Sequence, residues 1–405
     1  MKFGGTSVKD VERIESVADK VMREIENGYD VCVVVSAMAG MTNQLVEYCS
    51  QINETHTGAD YDTVLAAGEQ ITAGLLALAL QKRGRDARSW LGWQVPISCS
   101  DAYGKSRIEN IPSDKFQNAM SAGQVAVVAG FQGVSADNRI TTLGRGGSDT
   151  TAVALASALG AGRCDIYTDV DGLYSADPRI APMARKIEKA CFEEVLEMAS
   201  LGAKVLHARS VELAFKENVM VQVLSSFGDA IGSDLLGTII TSEDKTMEHA
   251  SVNGVAHSMD EAQITLYNVT DVPGVIANIM QPLAEADIII DTIVQSASVD
   301  GKTSITFSLP EADLKRGQAA LNNAGFNDLI VDSDVAKVSA VGMGMRSQTG
   351  VAATFFDALA GANINIKAVS TSDIKISVLI NRKQAQQAVQ ALHSAYHLDK
   401  NHKLV

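Results

Sequence analysis

Thr142-Leu143-Gly144-Arg145-Gly146-Gly147-Ser148-Asp149-Thr150-Thr151 decides how the first half of this chain reads. Three glycines and an arginine lead into a helical stretch, Ala152–Leu159. Glycines let the backbone come close to a ligand, and a helix start offers free N–H groups to an anion. The guanidinium of Arg145 has the planar fork that grips a carboxylate or phosphate through two bonds. Ser148, Asp149 or Thr150 could each cap the helix, but a cap requires neither three glycines nor an arginine. Lys2-Phe3-Gly4-Gly5-Thr6-Ser7 repeats the idea at the start of the chain, with a lysine as point charge. Downstream, Thr168-Asp169-Val170-Asp171-Gly172-Leu173-Tyr174-Ser175-Ala176-Asp177-Pro178-Arg179 comes after a strand and reads as a ligand loop. Its glycine comes too early after Asp169 for a calcium-binding EF-hand.

Around these loops, helices alternate with short apolar strands. Val8, Val11, Ile14, Val17, Val21 and Ile25 recur at helical spacing over 8–27, with Gly28 as the stop. Val31–Val35, Val125–Ala129 and Asp165–Thr168 are runs that suit strands buried on both faces. Helical patterns over Ala66–Lys82 and Thr150–Leu159 lie between them. The alternation predicts an α/β domain over residues 1–241, with a mostly parallel central sheet between helical layers. A polar stretch, Ser242-Glu243-Asp244-Lys245, reads as a linker within 242–262, which also holds a strand completing the C-terminal region.

The remainder repeats itself. Aligning Gly274 with Gly350 sets an offset of 76 residues and pairs Leu283 with Leu359, Ala284 with Ala360, Ala286 with Ala362, Ile288 with Ile364 and Ile290 with Ile366. Two ferredoxin-like βαββαβ units over 263–335 and 336–405 are the natural reading.

Composition narrows the function. A net charge of -14 over 405 residues argues against a nucleic-acid or anionic-lipid surface, so phosphate chemistry must rest on local cations and N–H groups. Five cysteines without a CxxC pair read as reduced thiols in a cytoplasmic protein. The opening residues lack a secretory pattern, and the apolar run Leu75–Leu80 is short for a membrane span. Scattered histidines give no metal cage. Gly104-Lys105-Ser106 and Gly301-Lys302-Thr303 imitate a P-loop, but Cys99 and Ser296 stand where its upstream glycine belongs. Gly144-Arg145-Gly146-Gly147 would need a glycine at Asp149 to bind a dinucleotide.

Taken together, the motifs resemble the amino acid kinase family, and within it the aspartate kinases. Lys2–Val8 resembles the family's K-[FY]-G-G-[ST]-S opening, and Ser36-Ala37-Met38-Ala39-Gly40-Met41-Thr42 its S-A-M-x-x-x-T turn. Gly68-Glu69-Gln70, Leu143–Thr151 and Thr168–Arg179 are similar to its G-E-[RQ] helix, its L-G-R-G-G-S-D-T-T loop and its nucleotide loop. Phe192–Leu206 resembles the helix that ends in the family's lysine, Lys204 here, and the tail resembles paired ACT domains.

The resemblance implies a three-layer amino acid kinase fold followed by two ACT domains. It implies ATP-dependent phosphorylation of the side-chain carboxylate of L-aspartate, with Mg²⁺ held mainly by phosphates and water. Lys2 and Asp149 would be catalytic. Ser36, Thr42, Glu69, Arg145 and Ser148 would bind aspartate. Gly4, Gly5, Gly147, Thr168, Asp169, Tyr174, Asp177, Arg179 and Lys204 would bind the nucleotide. Lysine and/or threonine would act as effectors at Asp271, Gly274, Ala277, Gln295, Thr306 and Asn365. The ACT pair implies a homo-oligomer, or assembly with a separate regulatory subunit that an internal start at Met247 could supply.

Two departures stand out. Relatives carry several strand residues before the lysine of the opening motif, whereas Met1 directly precedes Lys2 here. Relatives also commonly place asparagine where this chain has Ile289. The competing readings are a kinase of the same fold acting on glutamate or a related acid, and a catalytically dead amino-acid sensor. Lys2, Arg145, Asp149 and Lys204, all present, speak against the second.

Overall fold

The structure is a computed structural model that describes residues 1–53, 57–201, 205–243 and 251–400. It divides into two compact units. The first comprises Met1–Leu173, Lys186–Ala199 and Lys204–Asp244. The second comprises Lys245–Val405 together with Tyr174–Arg185 and Ser200–Ala203.

The first unit is built on an eight-stranded sheet in the spatial order Lys189–Cys191, Thr238–Thr241, Val221–Ser225, Cys164–Thr168, Lys2–Phe3, Cys32–Val35, Val125–Ala129, Ala87–Trp90. Every neighbouring pair is parallel except Val221–Ser225 with Thr238–Thr241. The valine-rich strands are central and buried on both faces, as their unbroken apolar runs require. The first strand is only two residues long, yet it lies in the middle of the sheet and pairs with Cys32–Val35 and Cys164–Thr168.

Strand alternation sends its two side chains to opposite faces. Phe3 stacks on Tyr167 with ring centroids 4.5 Å apart, within the core formed with helices Val11–Glu26 and Ala59–Lys82. Lys2, in register with Val34 and Ile166, faces the other way. The helix Ala59–Lys82 is long and apolar enough to cross a membrane by length and composition alone. Here Leu65, Ala73, Leu76 and Leu80 are buried, which is the pattern of a core helix. A smaller sheet in the order Ile108–Asn110, Ser98–Cys99, Gln132–Val134, Ile140–Thr142 completes this unit.

Four helices differ in extent from their sequence reading: the one read over 8–27 spans Val11–Glu26, and the one read over Ala66–Lys82 begins at Ala59. The glycine-rich loop winds into its helix early, so that Gly147–Leu159 is helical and Ser148 and Asp149 lie in its first turn. The helix expected over Phe192–Leu206 ends at Ser200, and Lys204 lies outside the described residues. Asp244 and Lys245 of the expected linker also lie outside them, as does Met247.

The second unit carries one six-stranded antiparallel sheet in the order Ile293–Gln295, Lys302–Leu309, Gly254–Thr270, Leu329–Val341, Lys375–Asn381, Ile366–Ser372. The two central strands are long because each serves both repeats. The start of Gly254–Thr270 pairs with the end of Leu329–Val341, which in turn pairs with Lys375–Asn381 of the second copy. The offset of the repeat is visible in the backbone. Gly274 and Gly350 precede helices Val275–Glu285 and Val351–Gly361 at φ of 93° and 86°, and Asp287 and Asn363 end those turns at 53° and 54°.

Candidate active site

In an open parallel sheet, ligands bind beyond the carboxyl ends of the strands. Gly4 and Gly5 lie just past one such end, Ser36 and Ala37 past the next, and Asp169 past the third neighbour. Lys2 is 7% exposed, and its Nζ lies 2.5 Å from Asp149 Oδ1. Asp149 could have capped its own helix, but the N-cap is Gly146, which makes no side-chain cap. The carboxylate is instead turned on the lysine, still favoured by the positive end of the helix. Gly146 must be glycine twice over. Its φ is 69°, and a Cβ would lie 2.3 Å from Cβ of His207.

A second loop lies on the first. Ser36 N donates to Phe3 O at 3.1 Å, and Ala39 N donates to Gly5 O at 3.2 Å. A Cβ on Gly5 would stand 2.9 Å from Ala37 O, so only glycine permits this approach. Ala37 N donates in turn to Glu69 Oε1 at 3.0 Å. Glu69 is 4% exposed, and its Oε2 is buried without a hydrogen-bond partner among the described residues. Burial pushes its pKa up to about 7, against the hydrogen bond from Ala37. A buried carboxylate oxygen left open suits a cationic group such as an α-ammonium. Thr42 lies in the first turn of the neighbouring helix Met41–Ile52. Ser148 is buried, and the backbone of Gly130 passes so close that a Cβ there would meet its Oγ at 2.9 Å.

Arg145 is exposed and makes no ion pair among the described residues. Its approach is held by two residues that sequence reading did not single out. Asp62, fully buried, accepts from Thr142 N at 2.6 Å, Thr142 Oγ1 at 2.9 Å and Gly104 N at 3.0 Å. Arg209 donates to Leu143 O at 2.5 Å and Ser106 O at 2.6 Å. The signal for Asp62 was available. Asp62, Leu65, Glu69, Thr72 and Leu76 all lie on the buried stripe of one helix, and a carboxylate there needs donors.

The expected nucleotide residues fall into two groups. Thr168 and Asp169 belong to the first unit, where Thr168 Oγ1 donates to Asp169 Oδ1 at 3.1 Å and Thr168 O accepts from Ser226 N at 2.8 Å. Tyr174, Asp177 and Arg179 belong to the second. Arg179 is exposed and pairs with Asp177 through Nε at 3.0 Å and Nη2 at 2.7 Å, which holds the Asp177 carboxyl below its usual range. Among the described residues, no group of three or more His, Cys, Asp and Glu side chains is placed to hold a metal.

In the second unit, Asp271–Ala277 and Gln295 line a concavity of about 530 Å³. Four of the expected effector residues, Asp271, Gly274, Ala277 and Gln295, are therefore together. Thr306 is on the next strand, its Oγ1 3.0 Å from Thr265 Oγ1. Asn365 is exposed in the second repeat, and Ile289, its counterpart in the first, is 75% exposed. Nearby Lys337 is buried between Glu261, 2.7 Å from its Nζ, and Asp291. Burial lowers the lysine's pKa, but the two carboxylates outweigh it and leave the pKa above the usual value.

The sequence profile of the amino acid kinase family matches residues 1–225, and that of the ACT domain matches 267–324 and 338–396. The aspartate kinase of Pseudomonas putida is 48% identical over 403 residues, covering 98% of this chain and 97% of its own. The crystal structure of E. coli aspartokinase III in complex with aspartate and ADP, in the R-state, superposes with a TM-score of 0.80 at 26% identity, over 97% of this chain and 98% of that one. The T-state of the same enzyme, with lysine and aspartate, gives a TM-score of 0.76 at 27% identity and the same coverage. With its glycine loops, its Lys2–Asp149 pair and its two repeats, the chain belongs to the amino acid kinase family, among the aspartate kinases that end in paired ACT domains.

Proposed function

We propose that this chain transfers the γ-phosphoryl group of MgATP to the side-chain carboxylate of L-aspartate, giving 4-phospho-L-aspartate and ADP. The observation that carries the reading is the Lys2–Asp149 pair at the carboxyl edge of the sheet, beside the glycine loops and the open oxygen of Glu69.

The chemistry brings two anions together. At about 4 Å, unit charges repel by roughly 4 kcal/mol at an effective dielectric of 20. The acceptor carboxylate is already ionised at neutral pH and needs no general base. Catalysis is then positioning and charge neutralisation. Lys2 neutralises the transferring phosphoryl group, and Asp149 holds the lysine in place. The backbone N–H of Gly5 takes a phosphate oxygen. Those of Gly4 and Gly147 are already donated to Tyr167 O at 3.2 Å and Gly144 O at 3.0 Å, so these two glycines contribute only close backbone approach. Arg145 grips the α-carboxylate of aspartate, Glu69 the α-ammonium, and Ser36, Thr42 and Ser148 supply hydroxyls. Thr168, Asp169, Tyr174, Asp177, Arg179 and Lys204 contact the nucleotide. Mg²⁺ would enter with ATP, held mainly by phosphate oxygens and water rather than by side chains of the described residues, and would supply charge neutralisation there.

The repeats add regulation. Lysine, threonine or both bind the ACT repeats around Asp271–Ala277 and Gln295 and inhibit turnover. The repeats assemble the enzyme as a homo-oligomer or with a separate regulatory subunit, and it works in the cytoplasm. An assay of ADP release from ATP, with L-aspartate, L-glutamate or no acceptor, tests the activity. Release that depends on aspartate is expected. Release with glutamate alone would move the substrate to another acid, and none with either would leave a sensor.

A further inference from the structure

Arg145 stands on an exposed loop, so the direction of its guanidinium depends on the backbone that delivers it. That backbone leaves the sheet at Thr142 and runs beside a second segment, Gly104–Ser106. Ser106 N donates to Thr142 O at 3.0 Å, and a Cβ on Gly144 would stand 2.9 Å from Gly104 O. Two buried or half-buried charges bind these segments to one another. Asp62 takes N–H groups from both, Thr142 and Gly104, on a single oxygen, Oδ2, while its Oδ1 takes the Thr142 hydroxyl. Arg209 takes a carbonyl from each, Leu143 and Ser106. One group ties the two segments through their donors and the other through their acceptors. Burial raises the pKa of Asp62 against these bonds and lowers that of Arg209, so both charged groups are held here at a desolvation cost.

We infer that Asp62 and Arg209 are positioning residues for substrate binding, a two-sided brace that fixes the approach to Arg145. The inference rests on the proposed role of Arg145 as the group that grips the α-carboxylate of the amino-acid substrate. Neither residue touches the substrate itself. Each acts through the main chain of Thr142–Gly144.

The test uses the full chain and separates KM for aspartate from KM for ATP. Asp62→Ala leaves two N–H groups and a hydroxyl without their acceptor, and should raise KM for aspartate by about 10-fold or more, with KM for ATP within about 2-fold. Asp62→Asn can present its oxygen to the two N–H groups and its amide to the hydroxyl, and should restore most of the loss. Arg209→Met should repeat the Asp62→Ala pattern. A merely structural role would lower the fraction of active enzyme, seen as a smaller kcat at unchanged KM. If Asp62→Ala does not fold, Arg209→Met alone carries the test. Unchanged KM for aspartate in either folded variant, or equal rises for both substrates, overturns the brace. Arg145→Lys is run alongside. If it leaves KM for aspartate unchanged, the role of Arg145 has failed. If it raises KM while the brace variants do not, only the brace has failed.

Discussion

Lys2 Nζ meets Asp149 Oδ1 at 2.5 Å, although one residue belongs to the first strand and the other to the first turn of Gly147–Leu159. With side chains 9% and 14% exposed, the two charges are largely out of water, and removing either leaves the other uncompensated. The phosphoryl group arriving from ATP would share the lysine with the aspartate, so the pair acts as one unit. Lys2→Ala should lower kcat by at least about 100-fold. Asp149→Asn should also be slow. Because residues of one unit are not additive, Lys2→Ala combined with Asp149→Asn should be about as slow as Lys2→Ala alone. Turnover measured on folded variants checks this, and near-normal kcat in Lys2→Ala would remove the lysine from the mechanism.

Arg145 offers the fork geometry that Lys cannot reproduce. Arg145→Lys should raise KM for aspartate by roughly 10-fold or more while KM for ATP changes little. Initial rates with each substrate varied in turn decide it. Equal effects on both would reassign Arg145 to the phosphates.

Glu69, pushed up to about 7 by burial, titrates in the working range. An α-ammonium binds the ionised carboxylate, so affinity for aspartate should rise with pH. KM for aspartate should fall about 10-fold from pH 6 to pH 8 and level off above it. Glu69→Gln should raise KM and abolish the slope. A slope that survives in that variant would belong to another group.

The turn Asp271–Ala277 with Gln295, whose Nε2 is 3.5 Å from Asp271 Oδ1, has the room and the polar groups for an amino acid. Lysine or threonine should bind the full chain and slow its turnover. Gln295→Ala or Thr306→Ile should raise the half-inhibiting concentration by roughly 10-fold, a coupling change of about 1.4 kcal/mol. Titration calorimetry and inhibition curves test it together. Millimolar lysine and threonine that neither bind nor inhibit would make the repeats an assembly module, consistent with the exposed Ile289.

His257 and His393 are both held below their usual pKa by burial, and His393 Nε2 lies 3.0 Å from Ser175 Oγ. The unfolded chain takes up protons near pH 6.5, where the folded state still resists them. The histidine contribution to stability should therefore fall as pH drops below about 6.5, while Glu69, raised to about 7, takes up its proton in the folded state and opposes that fall. The low-pKa carboxyls Asp177 and Asp332 act only below their own usual range, outside this window. Urea midpoints between pH 7.5 and 5.5 in the Glu69→Gln background isolate the histidine trend, and adding His393→Gln should flatten it.

The amino-acid sequence determined by itself what a few neighbouring residues can encode. Unbroken apolar runs such as Val125–Ala129 specify buried strands, and helical periodicity over 8–27 marks the helix that the structure bounds at Val11–Glu26. Gly274 and Gly350 mark the same turn in two repeats at an offset of 76 residues, and the backbone takes the same conformation at both. Even the glycine loops declared their chemistry, since backbone approach and helix N–H groups are local properties. Only the tertiary structure decided what depends on distance and burial. It turned Asp149 from a possible helix cap to the partner of Lys2. It ended the expected Phe192–Leu206 helix at Ser200. It placed Tyr174, Asp177 and Arg179 in a different unit from Thr168 and Asp169. It also raised Glu69 to about 7 and drew Asp62 and Arg209 to the loop before Arg145. A pKa shift or a long-range hydrogen bond belongs to the environment that distant segments create when they pack. No pattern within a few residues carries that information.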